Sequence, residues 1–292
     1  MRLSALKKIA WIGVGLLLTM GLYANPGQIQ IVAAENFYGS IAQNLGAPYV
    51  QVTSILNNPV GDPHQFDAGP DVAKAVDQAN IIIENGVDYD PWMDALYQSS
   101  SKKAVLINVG QLIHVLPSSN PHIWYAPQTI PAFARALTAE LCAFDPSHKS
   151  EYQKNLSYFM QRANLFNFEV NQVRSQVHGE SITATEPIFN DLALALGLQV
   201  LNQSIQVKVM NGVPLSPQEI IEFEESLKPE TVKALVYNDQ VVDPTLEQFK
   251  QIANERGIPI VGVSELMPAK TTYYAWMHQN LQNLAVALGV KK

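Results

Sequence analysis

Hydrophobic residues along this chain follow two alternating rhythms. Short runs rich in Val and Ile at residues 29–33, 50–55, 80–84 and 104–108 predict strands. Between them, residues 36–45, 71–78 and 92–98 carry apolar positions three and four apart, which predicts helices. The alternation resumes at Ser181, with strands predicted at 181–184, 198–201, 234–237 and 258–263. Helices are predicted there at 187–195, 217–226, 245–255 and 274–288. Strand–helix–strand alternation is the signature of βαβ units and parallel sheets.

One long amphipathic stretch separates the two halves. Asp145 suits a helix N-cap and Pro146 the first helical position. Tyr152, Leu156, Phe159, Ala163, Phe166, Val170, Val173 and Val177 then follow in steps of four and three, one face of a helix running to about His178. At ~1.5 Å per residue it would extend about 46 Å, enough to run along both halves and to hold them stiffly. An ungapped internal repeat sets residues 34–46 against 185–197. Each copy reads as strand end, acidic residue (Glu35 or Glu186), helix, and a closing Gly. The predicted architecture is α/β, with an N-terminal lobe at 25–145, a linking helix at 146–178 and a C-terminal lobe at 179–292. Each lobe holds a mainly parallel sheet flanked by helices, and a cleft lies between them.

The first 24 residues are expected to be a removable address. Arg2, Lys7 and Lys8 precede an apolar stretch at 9–22 that ends near Tyr23-Ala24, the pattern of a secretory signal peptide. The apolar stretch is shorter than the ~20 residues that span a bilayer. No cysteine closes it, so a lipid anchor is not expected, and the mature protein is expected to be soluble and exported.

Charge and cysteine content narrow the chemistry. Nineteen basic against 26 acidic side chains give a net charge of -7. Removing three bases with the signal makes the mature charge -7 - 3 = -10. Neither value suits a nucleic-acid binder. Cys142 is the single cysteine, which excludes thiolate-cluster metal sites and an internal disulfide framework. A metal site here must use nitrogen and oxygen donors.

Open parallel sheets bind ligands outside the carboxyl ends of their strands. Four polar residues fall on such loops: His64 in Asp62-Pro63-His64, His122 in Pro121-His122-Ile123-Trp124, Glu186 after the first strand of the second half, and Glu265 after the last. Two imidazoles and two carboxylates would suit a divalent transition metal. Spacing alone leaves ordinary core or surface roles open for each. His114, His148, His178 and His278 are expected to be structural. Glu35 could face the cleft or favour a helix N-terminus, and the second role is expected.

The strings Asp62-Pro63-His64 and Pro121-His122-Ile123-Trp124, with a long helix between α/β halves, resemble the zinc/manganese-type solute-binding proteins of bacterial ABC importers. The resemblance runs from about Ile29 to Leu288. It implies metal ligation by His64, His122 and Glu186, with a fourth ligand after the last strand. That ligand is usually Asp in the family and is Glu265 here. It also implies a periplasmic or cell-surface location, delivery of the ion to an inner-membrane permease with a cytoplasmic ATPase, and no enzymatic activity; a monomer in the periplasm is expected. The ion would be Mn2+ or Zn2+, or Fe2+. Zinc-type members often carry a His- and acid-rich loop before the second His. Here residues 110–120 hold one His and no acid, which favours manganese.

Two other classes compete. A metal-dependent hydrolase could use the same His/carboxylate set, although no His-Glu-x-x-His helix, P-loop or Gly-x-Ser-x-Gly elbow occurs. A binding protein for an organic solute or metal chelate would recruit aromatics, and Trp92, Trp124, Tyr125 and Trp276 are available. Packing is the expected role of these four, with Trp124 and Tyr125 the two to look for in the pocket.

Overall fold

The computed structural model describes residues 27–57 and 66–290; the expected export signal lies outside the described residues. Strands β1 (Ile29–Glu35), β2 (Val50–Leu56), β3 (Ile81–Glu84) and β4 (Val105–Asn108) form one sheet in the order β2-β1-β3-β4. Strands β5 (Ser181–Ala184), β6 (Gln199–Leu201), β7 (Leu235–Asn238) and β8 (Ile260–Val263) form a second in the order β6-β5-β7-β8. Every neighbouring pair is parallel. Parallel strands are covered on both faces, which is why β3 reads Ile-Ile-Ile-Glu and is buried throughout.

Helices α1 (Asn36–Gly46), α2 (Pro70–Gln78), α3 (Pro91–Ser99), α4 (Val109–Leu112) and α5 (Thr129–Phe144) belong to the first half. The long helix α6 (Lys149–Val177) follows. The second half adds α7 (Asn190–Ala195), α8 (Gln203–Met210), α9 (Pro217–Ser226), α10 (Pro244–Glu255) and α11 (Tyr273–Ala287). The α-helix proper thus begins three residues after Pro146. Residues Pro146–His148 form a tighter 3-10 turn, tied down by Asp145, which accepts from Ser147, from Tyr152 at 3.0 Å and pairs with His148. At ~1.5 Å per residue, the 29 residues of α6 span about 44 Å. Seven of the eight positions expected on its inner face are buried, and Leu156 packs against the same core.

One apolar core runs from the first sheet through α6 to the second sheet. Phe37 at the start of α1 stacks near Trp124 (4.9 Å) and Trp276 (6.0 Å), joining the two halves. Among the described residues no helix is long and apolar enough to cross a membrane.

The sheets confirm the internal repeat through their register. Ala33 pairs with Ile83, and Ala184, its counterpart in the repeat, pairs with Val236. Asn85 and Asn238, two residues further on, therefore occupy equivalent places. In each sheet the strand order reverses beside the first strand, and a crevice opens there at the carboxyl ends.

Helices α4, α5 and α8 are absent from the elements that the sequence pattern predicts. α5 does carry a helical stripe, Ile130, Phe133, Ala134, Leu137 and Leu141, with Pro131 in its first turn. In α8 the alternation of Ile205, Val207 and Val209 mimics a strand.

Candidate metal centre

The structure brings His122, Glu186 and Glu265 to the cleft; His64 lies outside the described residues. His122 is fully buried at the start of a 3-10 turn, Ile123–Tyr125. Its Nδ1 lies 2.8 Å from Asn120 Oδ1. The Asn120 amide nitrogen donates across the cleft to Pro187 O at 3.0 Å, which leaves its oxygen for the imidazole. His122 Nδ1 is therefore the protonated nitrogen, and the Nε2 lone pair points to the cleft.

Nε2 faces Glu265 Oε2 at 3.7 Å. That is too long for a hydrogen bond. It is close to the spacing of two donors on one ion, about 3.4 Å for bonds of ~2.1 Å at a tetrahedral angle. Glu265 is fully buried and sits just beyond β8. Gln240 Oε1 holds that loop by accepting from the backbone N–H of Glu265 (2.6 Å) and Leu266 (2.9 Å).

Asn238, at the end of β7, joins the two carboxylates. Its Nδ2 donates to Glu186 Oε2 at 2.7 Å and to Glu265 Oε1 at 2.6 Å, so each amide hydrogen serves a different acid. Glu186 is 2% exposed and lies just beyond β5. Tyr89, from the first half, donates to Glu265 Oε2 at 2.7 Å. Burial, then the charge of Glu265, push the Tyr89 hydroxyl well above its usual ionisation, so it remains a donor. Two carboxylates held together out of water favour a cation, and an imidazole lone pair beside them suits a transition metal. Among the described residues, no three His, Cys, Asp or Glu side chains converge closely enough to hold an ion by themselves.

Sequence reasoning missed Tyr89, Asn120, Asn238 and Gln240. The one signal that could have found Asn238 is its strand-end position, equivalent through the repeat to Asn85. The aromatics serve packing and positioning. Trp124 is buried with its ring 5.2 Å from that of His122, and Tyr125 donates to Ser264 O at 2.8 Å, beside Glu265. Trp92 packs on Phe66 and Trp276 lies in the core.

The remaining histidines lie away from the cleft contacts. His148 stacks on Tyr49, His178 ends α6, and His278 pairs with Glu169 at 2.7 Å. His114 follows α4 in a left-handed conformation, φ 60°. Glu35 precedes α1, as expected, but its side chain makes no capping bond there and is fully buried instead.

A family model described as "Zinc-uptake complex component A periplasmic" matches residues 31–287. Among curated proteins, a manganese ABC transporter substrate-binding lipoprotein, PsaA, of Streptococcus anginosus is 24% identical over 91% of each chain. The metal ABC transporter substrate-binding lipoprotein ScbA of Streptococcus cristatus is 23% identical over 89% of each. Among solved structures, the periplasmic zinc binding protein TroA from Treponema pallidum superposes with a TM-score of 0.76. The match has 18% identity and covers 90% of this chain and 99% of that one. The solute-binding protein FpvC of Pseudomonas aeruginosa, in complex with Mn2+, gives 0.76 at 17% identity over 90% and 98%. With the match spanning nearly all the described fold, the chain belongs to the periplasmic zinc-uptake component A family.

Proposed function

We propose that this chain captures one divalent transition-metal ion between its lobes, with His64, His122, Glu186 and Glu265 as ligands, and passes it to an ABC permease. Membership of the family makes the chain the metal-binding, substrate-binding component of an ABC importer, with a permease and an ATPase as partners. The family is one of solute-binding proteins, not enzymes. The observation that carries the ligand set is the Asn238 amide, which bridges Glu186 and Glu265 while Glu265 faces His122 across the cleft. His64 joins the set through the sequence motif.

Mn2+, Zn2+ and Ni2+ are among the ions that the relatives and structural neighbours are named for. Two carboxylates beside the imidazoles make a hard donor set, and residues 110–120 carry no acid, which together favour Mn2+. We assign residues 1–24 to export into the periplasm as a monomer, with lobes at 25–145 and 179–292. The named streptococcal relatives are lipoproteins, whereas the single cysteine here is Cys142 in α5.

Elemental analysis of the natively purified protein is expected to find one metal ion per chain. Added Mn2+ or Zn2+ is expected to raise the melting temperature, by about 2.7 kcal/mol of stabilisation at 100 Kd of free ion. His122→Ala should abolish that shift. Metal-free protein whose melting responds to neither ion would refute the reading.

A further inference from the structure

Glu35 and Glu186 are equivalent in the repeat, yet their side chains meet opposite environments. Glu186 receives an amide N–H from Asn238. The equivalent amide, Asn85 Nδ2, turns away from Glu35 and donates to Pro121 O at 2.9 Å, next to His122. Among the described residues neither Glu35 oxygen accepts a hydrogen bond, and the side chain is fully buried. Among the polar groups around it is another buried carboxyl, Asp90.

Asp90 is already committed to two donors. Its Oδ2 accepts Asn85 N–H at 2.7 Å and its Oδ1 accepts Gly86 N–H at 2.8 Å. These bonds favour the ionised form of Asp90. A second ionised carboxyl beside it, without a donor, would be an uncompensated buried charge. One proton between the two resolves this: Glu35 keeps it and donates to Asp90. Burial first, then the charge of Asp90, push Glu35 well above the carboxylate range, which agrees. Glu84, Tyr38 and Tyr89 also face this pair.

The turn that Asp90 ties down is strained. Gly86, Val87 and Asp88 follow one another with φ of 71°, 56° and 60°. A β-branched Val in that region is a genuine outlier, and such residues persist only where their surroundings over-determine them. Any other residue at Gly86 would be strained by its positive φ, and its Cβ would press on the Asn108 side-chain amide. At its two ends the same turn carries Asn85, which holds the His122 loop, and Tyr89, which holds Glu265.

We propose that the Glu35–Asp90 carboxyl pair is a positioning device for the metal centre: the proton that Glu35 donates to Asp90 holds the 85–90 turn, and through Asn85 and Tyr89 orients His122 and Glu265. The role rests on the metal-binding reading above. The two carboxyls are positioning residues and need not touch the ion.

The test measures Mn2+ affinity of the full chain, exported and purified, for the wild type, Glu35→Leu, Glu35→Gln, Tyr89→Phe and Glu35→Leu/Tyr89→Phe. Glu35→Leu and Tyr89→Phe are each expected to weaken binding about 10-fold. Glu35→Gln, whose amide N–H can replace the O–H toward Asp90, should bind nearly as the wild type. The double variant should lose less than the two single losses combined, because both act through one turn. Wild-type affinity in Glu35→Leu, or Glu35→Gln as weak as Glu35→Leu, would overturn the proposal. If Glu35→Leu does not fold, Tyr89→Phe decides: wild-type affinity in it overturns the proposal. The infrared difference between metal-free wild type and Glu35→Gln at neutral pH should contain a protonated-carboxyl stretch, over and above the band that Glu84 gives in both. No such difference band, in a wild type that binds Mn2+, would overturn the proposal while leaving the metal-binding reading standing. A wild type that binds no Mn2+ would sink the metal-binding reading and the positioning role with it.

Discussion

Single atoms of the cleft residues show how little ligand identity alone accounts for. His122 offers Nε2 because Asn120 takes Nδ1, and Asn120 can do so because its nitrogen is engaged by Pro187 O. Such outer contacts set ring orientation and tautomer, and their loss typically costs about 10–100-fold in metal affinity. Asn120→Ala is therefore expected to weaken Mn2+ binding about 10-fold, while Asn120→Asp, which keeps an acceptor for Nδ1–H, should retain most of it. Equilibrium titration of the two variants checks this. The candidate ligands were legible from strand-end loops together with the family resemblance of the two His motifs, not from spacing alone. Asn120 and Asn238 were not, since an amide in a turn or at a strand end has many commoner uses.

Helix α6 shows where periodicity is reliable and where it stops. Its inner face is legible over the whole length, because an apolar stripe repeating in threes and fours across 29 residues matches neither a strand nor a loop. Phe166→Ala should cost about 3 kcal/mol, as expected for a buried aromatic. Phe168→Ala, on the outer face and 61% exposed, should change stability by less than about 0.5 kcal/mol. Chemical denaturation of both variants tests the assignment of faces. Periodicity does not reveal α8, because a short segment with alternating Ile and Val satisfies a strand template equally well. Packing of Ile205 into the second-half core with Phe223 and Phe249 decides for the helix.

For the whole molecule, the buried acids of the first half make stability depend on pH. Burial, then the charge of Asp90, push Glu84 up to about 7, and burial raises Asp90 to about 6. A carboxyl raised in this way binds its proton more tightly in the folded state than in the unfolded chain. Its contribution is fully present below the ordinary value of 4.5 and is lost as pH rises through about 7. Metal-free protein should therefore melt at progressively lower temperature from about pH 5 to about pH 8. The slope should be shallower in Glu84→Gln, whose oxygen can still accept from Asn108. Calorimetric scans across that range, with equal slopes in both proteins, would contradict the account.

Local patterning by itself determined the two α/β halves, their duplication and the long helix between them. Strand and helix periods are written in consecutive residues, and both copies of the repeat carry the same order. Cys142 as the lone cysteine likewise confined any metal site to nitrogen and oxygen donors. Only the tertiary structure decided what each acid does. Glu35 and Glu186 stand at matching points of matching sheets. Glu35 lies beside the Asp90 carboxyl and Glu186 receives the Asn238 amide, because the turns after β3 and β7 present different groups there. A side chain's ionisation and use depend on neighbours far away along the chain, such as Tyr89 against Glu265. No local pattern records those neighbours.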